Sequence, residues 1–147
     1  RADQQDDPVR RGRPVIVDAH DGAGPIAGIA AAQAAHPDRA WLVLACDLPF
    51  VDDAAIAHLA SRRDGRPVVA YASSHDGLPE PLCAIYEPES RAGVLAAIAS
   101  GRNCPRKFII GTGVVLLTQP DPVALDNVNT PEELQRARGH LGGPANA

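Results

Sequence analysis

The pattern of apolar and polar positions divides the chain into short strands alternating with helices. Residues 14–17, Pro-Val-Ile-Val, form a β-branched run that ends at Asp18, and such runs predict a strand. A glycine-rich turn, Asp21-Gly22-Ala23-Gly24, comes next, and Pro25 stands where a first helical position favours it. Ile26, Ile29, Ala30 and Gln33 then recur at helical spacing as far as His36-Pro37. Residues 41–46, Trp-Leu-Val-Leu-Ala-Cys, are apolar throughout. That run predicts a central parallel strand covered on both faces, and it stops at Asp47.

Asp52 or Asp53 can cap the next helix, with Ile56, Leu59 and Ala60 turned to the core and Arg62, Arg63 and Gly65 at its end. Pro67 to Ala72 reads as a strand, Ser73 to Glu80 as a polar loop, and Leu82 to Tyr86 as a further strand. A helix is expected from Pro88 to Ser100, with Val94, Leu95 and Ile98 inward and Gly101 closing it. Lys107–Ile110 and Val114–Thr118 are further strand candidates. Thr130-Pro131-Glu132-Glu133 opens the last helix with three signals: a capping Thr130, Pro131 in the first turn, and Glu133 completing a capping box. That helix is expected to end near Gly142, with residues 143–147 as a loose tail. Strands alternating with helices imply an α/β domain with a mostly parallel or mixed sheet and helices on both faces. No repeat or linker interrupts it, so residues 1–147 read as a single domain.

Composition narrows the function classes. With 147 residues, 45% of them apolar and 22% charged, the chain falls in the soluble globular range. Only 3% are aromatic and the net charge is −4. The 13 Arg and the single Lys107 are scattered, so neither a base-stacking surface nor a basic stripe for nucleic acid is expected. No apolar run approaches the length of a membrane span. Cys46, Cys83 and Cys104 form no CxxC pair or zinc set, so they are expected as buried free thiols in a reducing compartment, the cytoplasm. The chain contains no methionine, which is expected of a piece whose first unit lies upstream.

In open α/β sheets, ligands sit beyond the carboxyl ends of the strands. Asp18 and Asp47 stand at two such ends. Asp47 is the sharper signal, because it directly follows the buried run. Mg²⁺ commonly takes only one or two protein carboxylates and completes its shell with water and phosphate oxygens, so one well-placed aspartate can suffice. A plain turn or capping aspartate is an equally good reading of the spacing. Gly22, Gly24 and Gly28 invite comparison with a dinucleotide loop, but the third glycine falls one position late for GxGxxG and Pro25 removes an N–H. The segment reads instead as a ligand-lining turn beside Asp18, or as a turn with close helix-to-sheet packing at Gly28. Asn127 and Asn129 alternate on an extended segment just before a capped helix, where both amides could reach one anionic ligand; asparagine turns are also common without function. His20, His36, His58, His75 and His140 have no ligand spacing, and Arg106-Lys107 reads as solvated surface.

Four segments occur in a telling order: Gly24-Pro-Ile-Ala-Gly28, Leu44-Ala-Cys-Asp-Leu-Pro-Phe50, Glu80-Pro-Leu-Cys-Ala-Ile-Tyr86 and Asp126-Asn-Val-Asn-Thr-Pro-Glu-Glu-Leu134. Together they resemble the molybdenum cofactor guanylyltransferases, from about Val15 to Leu134. The resemblance implies a Rossmann-like, three-layer nucleotidyltransferase fold and transfer of GMP from GTP to molybdopterin, with Mg²⁺ as cofactor. It implies that Asp47 binds the metal and the GTP phosphates as the catalytic carboxylate. Asp18 would contact the guanosine, with Gly24 and Gly28 shaping the nucleotide-side turn. Asn127, Asn129, Pro81 and Leu82 would face the second substrate. Transient contact with other proteins that handle the molybdenum cofactor would follow, and neither nucleic acid nor membrane is expected as a partner.

The departure lies at the front. The family opens with a strand and a Gly-rich loop carrying Arg and Lys, which cradles the triphosphate with backbone N–H groups, and nothing in this chain matches it. The resemblance therefore implies the N-terminally truncated, C-terminal portion of the domain, inactive by itself, with Arg1 near a base-contacting position. Related cytidylyltransferases and sugar-phosphate nucleotidyltransferases share the strand-end aspartate and remain alternatives, although Pro81-Leu82-Cys83 suits the guanylyl group better. A non-catalytic interaction module is the alternative of another class.

Overall fold

The computed structural model describes residues 12–20 and 22–141. The expectations for Arg1, Asp21, Gly142 and residues 143–147 lie outside the described residues. The elements run α1 (Pro25–Ala35), β1 (Trp41–Leu44), α2 (Asp53–Ser61), β2 (Val68–Ala72), β3 (Pro79–Tyr86), a 3₁₀ turn (Pro88–Ser90), α3 (Arg91–Ala99), α4 (Pro105–Ile110), β4 (Val115–Leu117) and α5 (Pro131–Leu141). The sheet order is β1-β3-β2-β4. β3 runs antiparallel to both β1 and β2, while β2 and β4 are parallel. Three strands therefore share one direction and β3 opposes them, a mixed sheet of the expected class.

Helices cover both faces and give three layers. On one face Ile26, Ala27, Ile29 and Ala30 of α1, Val94 and Ala97 of α3, and Ile109 of α4 pack on Val68, Ala70, Ala84 and Tyr86. Gln33, buried on α1, is anchored by its amide donating to Ser90 Oγ at 2.7 Å. On the other face Ala55 and Leu59 of α2 cover Val69, Tyr71, Cys83 and Ile85.

Several expectations are corrected. Residues 14–17 join no strand, because no neighbouring strand among the described residues offers them a ladder, and Val15 and Ile16 stay exposed. Among the described residues the apolar run at 41–46 is neither central nor parallel to its neighbour: its strand ends at Leu44, pairs antiparallel with β3 alone and lies at the sheet edge. Lys107–Ile110 is the end of a helix, initiated by Pro105 at its first position, with only Ile109 fully buried among those four residues. Ala55 rather than Ala60 faces the core from α2, with Ile56 half-buried, and Ala97 replaces Leu95 in α3. Of the thiols only Cys83 is buried; Cys46 and Cys104 are exposed. Among the described residues no helix is long and apolar enough to cross a membrane.

Candidate active site

The shared strand direction puts the carboxyl ends of β1, β2 and β4 at one end of the sheet, together with the start of β3. A cleft of about 390 Å³ opens there. Asp47 lines it from the turn after β1, Ser73 from the end of β2, Pro81 and Leu82 from β3, and Asn127 from the segment after β4. Each position has a local cause. Ala45 N donates to Leu82 O at 2.8 Å, extending the β1–β3 ladder up to the Asp47 turn. Val128 N donates to Asp47 O at 2.8 Å, tying the Asn127 segment to that turn. The β2–β3 register shifts between Ala70 and Ala72, and the buried Tyr86 hydroxyl donates to Pro81 O at 3.0 Å, holding the displaced part of β3 against the cleft. Gly77, at φ 70°, closes the 73–78 loop in a left-handed conformation that suits glycine.

The helix that follows the Asn127 segment is capped as its sequence requires. Glu133 N donates to Thr130 Oγ1 at 3.2 Å, and Glu133 Oε2 accepts from the N–H groups of Asn129 and Thr130. Those hydrogen bonds hold the Glu133 carboxyl below its ordinary pKa. At the other helix start, Asp52 accepts from Ala55 N at 2.8 Å and caps α2.

Of the residues singled out by sequence, the cleft brings together Asp47, Pro81, Leu82 and Asn127. Gly28 lines an adjoining groove of about 390 Å³ that shares Ala45 and Leu82 with the cleft. A Cβ built on Gly28 would meet nothing within 4 Å, so this glycine is not there for close helix-to-sheet packing. It faces the open space of that groove. Gly24 ends the turn before α1 at φ 70° and lines neither space; Asp18 and Asn129 do not line the cleft either. Asn129, like Asn127 exposed on an irregular segment, is engaged through its backbone with Glu133 rather than reaching the cleft beside Asn127.

Sequence reasoning passed over His75, Asp76 and Arg106, all of which line the cleft. Arg106 Nη1 donates to Asp76 Oδ2 at 3.2 Å and Nη2 to Glu80 Oε1 at 3.0 Å. These partners lie 30 and 26 residues away, so no local signal points to them. On the flank towards α5, a second cavity of about 460 Å³ shares His75 and Asn127 with the cleft, and His75 Nε2 lies 3.3 Å from Asp126 Oδ1. Cys83 also lines the cleft, yet burial, and after it the charge of Glu80, pushes its thiol up to about 11. It stays protonated at neutral pH, which argues against a thiolate nucleophile. A larger cavity of about 660 Å³ between α3 and α4 shares no residue with the Asp47 cleft and is lined by no carboxylate. Volume alone does not single out a candidate site.

Among the described residues no group of three or more His, Cys, Asp or Glu side chains is placed to hold a metal ion. A full protein cage is thus not what these residues offer. The half-buried Asp47, making no side-chain hydrogen bond among the described residues, fits a metal shared with substrate phosphates.

Comparison with known proteins gives one consistent answer. Residues 1–115 match the model of the MobA-like NTP transferase domain. A molybdenum cofactor guanylyltransferase of Pseudomonas fluorescens is 36% identical over 123 residues, covering 83% of this chain and 62% of the relative. A molybdenum cofactor biosynthesis bifunctional protein of Synechocystis is 30% identical over 121 residues, covering 82% of this chain and 35% of the relative. The chain thus spans about a third to two thirds of the length of these relatives. Among solved structures, a molybdopterin-guanine dinucleotide biosynthesis protein A from Archaeoglobus fulgidus superposes with TM-score 0.70 at 28% identity, over 85% of this chain and 66% of that one. A protein from Aquifex aeolicus shares the fold at TM-score 0.69 and 19% identity. With a mixed sheet between two helix layers, a cleft at its strand ends and this match over most of its length, the chain belongs to the family of MobA-like NTP transferase domains.

Proposed function

We propose that the full-length protein transfers GMP from GTP to molybdopterin, forming the guanine dinucleotide cofactor and releasing pyrophosphate in the cytoplasm. The observation that carries this reading is the convergence of Asp47 and Asn127 at the carboxyl end of β1, in a chain whose relatives are named guanylyltransferases. The cleft has room on two flanks, one along α1 past Gly28 and one towards α5 past Asn127. That arrangement supports a nucleotide on the first flank, past Gly28 and Leu82, and a pterin acceptor on the second, past Asn127, while the roles expected of Gly24, Asp18 and Asn129 draw no support from it.

The reaction is an in-line attack by the acceptor's terminal phosphate oxygen on the α-phosphorus of GTP, with pyrophosphate leaving. The nucleophile is already ionised at neutral pH, so no side chain need remove a proton. Catalysis then rests on holding two anions in contact and in line. Asp47 would hold Mg²⁺, and the ion would supply charge neutralisation at the phosphates. Asn127 orients the reacting phosphate from the facing segment, and its separation from Asp47 is maintained by the Val128–Asp47 backbone hydrogen bond.

On this reading a Gly-rich, Lys-bearing loop and its strand, of the kind the family resemblance implies, would complete the site, and the 147 residues alone are expected to be inactive. Among the described residues no strand pairs with the outer edge of β1, and Leu42 and Leu44 are exposed, which supports a further strand and cover at that edge. The test is calorimetry of GTP with the full-length protein, with and without Mg²⁺. Asp47→Ala is expected to abolish Mg²⁺-dependent binding while the protein remains folded. Unchanged Mg²⁺-dependent binding in the variant would remove Asp47 from the mechanism, and no nucleotide binding by the wild type would end the enzyme reading.

A further inference from the structure

The charge balance of the Asp47 cleft poses a problem for its proposed acceptor. Asp47, Asp76 and Glu80 line the cleft, and Arg106 is the one Arg or Lys among the lining residues. An anionic phosphate entering such a site meets net repulsion unless a cation is available to it. If Asp47 is committed to the metal and the nucleotide, the cation left within the cleft for the acceptor's reacting phosphate is Arg106, while Arg136 lines the α5 flank where the rest of the acceptor would lie.

Arg106 is built to stay there. It lies in α4, which packs against β3, and its guanidinium is shared between two segments, Glu80 on β3 and Asp76 on the 73–78 loop. The two partners are not equivalent. Glu80 belongs to the sheet, is the more buried of the two and makes the shorter contact, while Asp76 sits on the exposed loop at 3.2 Å. Asp76 Oδ1 is independently engaged by Leu78 N at 3.0 Å, so the loop keeps its turn without the arginine. A guanidinium carries a fork of donors matched to phosphate.

Resting on the transferase reading above, we infer that Arg106 binds the phosphate of the acceptor substrate, with Glu80 fixing the guanidinium and Asp76 occupying the phosphate position until the acceptor arrives. Asp76 then acts as a gate against other anions. It yields only to a ligand that offers better charge and geometry.

The experiment is steady-state transfer by the full-length protein, varying molybdopterin and GTP separately, joined to equilibrium binding of molybdopterin. Losing a charge-assisted pair of hydrogen bonds in Arg106→Gln is expected to weaken acceptor binding and raise its KM by about tenfold or more, with the GTP KM within about twofold. Arg106→Lys keeps the charge but loses the fork and falls between. Asp76→Asn preserves the Leu78 contact and removes the competing carboxylate, so acceptor affinity should rise by about threefold or more. A merely structural latch predicts the opposite for Asp76, with both variants impaired alike. Parallel losses in Arg106→Gln and Asp76→Asn, or an acceptor KM unmoved by Arg106→Gln, overturn the inference while transfer itself stands. Absence of transfer by the wild type overturns the reading beneath it, and the inference with it.

Discussion

β1 and β3 are neighbours with similarly apolar sequences, and the structure treats them differently. Cys83, Ala84, Ile85 and Tyr86 are all buried, whereas Leu42 and Leu44, paired with Ile85 and Cys83, are 39% and 44% exposed. Directly opposed residues share a face of the sheet. One face therefore carries a covered pair and, one strand over, an uncovered pair. The difference is α2, whose Ala55 and Leu59 lie over Cys83 and Ile85. Val43, on the opposite face, packs against the cluster under α1 and α3. Burial in this sheet follows the placement of helices, and β1 is built for cover on two faces while receiving it on one.

The largest effect should come from removing the cover that separates the strands. Leu59 is fully buried over β3, and Leu59→Ala loses its transfer free energy and leaves a cavity, at a cost of about 2–5 kcal/mol. Urea denaturation of the full-length protein measures it. A cost below about 1 kcal/mol would mean that α2 is not what makes β3 the core strand, and the contrast with β1 would lose its cause.

Alkaline pH reads the same contrast through its titratable groups. Burial raises the Tyr71 hydroxyl to about 12 and the Cys83 thiol to about 11, from ordinary values of 10.0 and 9.0. Both pKa values are raised in the folded state, so their contribution is fully present below about pH 9. It is lost as pH rises through 9 to 12. Stability should fall across that window, and Cys83→Ala should flatten the part contributed by the thiol. The thiols themselves supply a sharper readout. Cys46 and Cys104, both exposed, should react with a disulfide reagent at once, and Cys83 only on unfolding. Fast reaction of Cys83 in the native protein would show that the face over β3 opens.

What the sequence told depends on how local each signal was. The start of α5 was legible because Thr130, Pro131 and Glu133 act on one another within a single turn, and the capping box forms as read. The Asp52 cap and the turn at Gly24 were legible for the same reason. Lys107–Ile110 misled because four residues cannot reveal a period; the better clue was Pro105, which suits a first helical turn. The run at 41–46 reports what its strand can bury, not its place in the sheet, and the edge position depends on residues far away. The site divides likewise. Asp47 could be placed at a strand end by its own neighbours, but its approach to Asn127 depends on a hydrogen bond between distant segments. Arg106 looked like solvated surface because its two carboxylate partners come from another part of the chain.

The smallest effect is expected at Leu44, and it is informative because it is small. In the 147-residue chain, Leu44→Lys places a charge where the native side chain is already 44% exposed at an open edge. A surface substitution of that kind should change stability by less than about 0.5 kcal/mol, and lysine on an edge strand also discourages pairing with other chains. In the full-length protein, the proposed strand and its cover would bury the same position. There an unpaired ammonium should cost several-fold more, on the order of 2–5 kcal/mol. Denaturation midpoints of the two lengths, each with and without the substitution, form a cycle whose coupling measures the missing cover directly. A large penalty confined to the longer protein makes β1 an interior strand completed from outside these residues. Equal, small penalties at both lengths leave it a true edge, and the two strands then differ by design rather than by what has yet to be packed beside one of them.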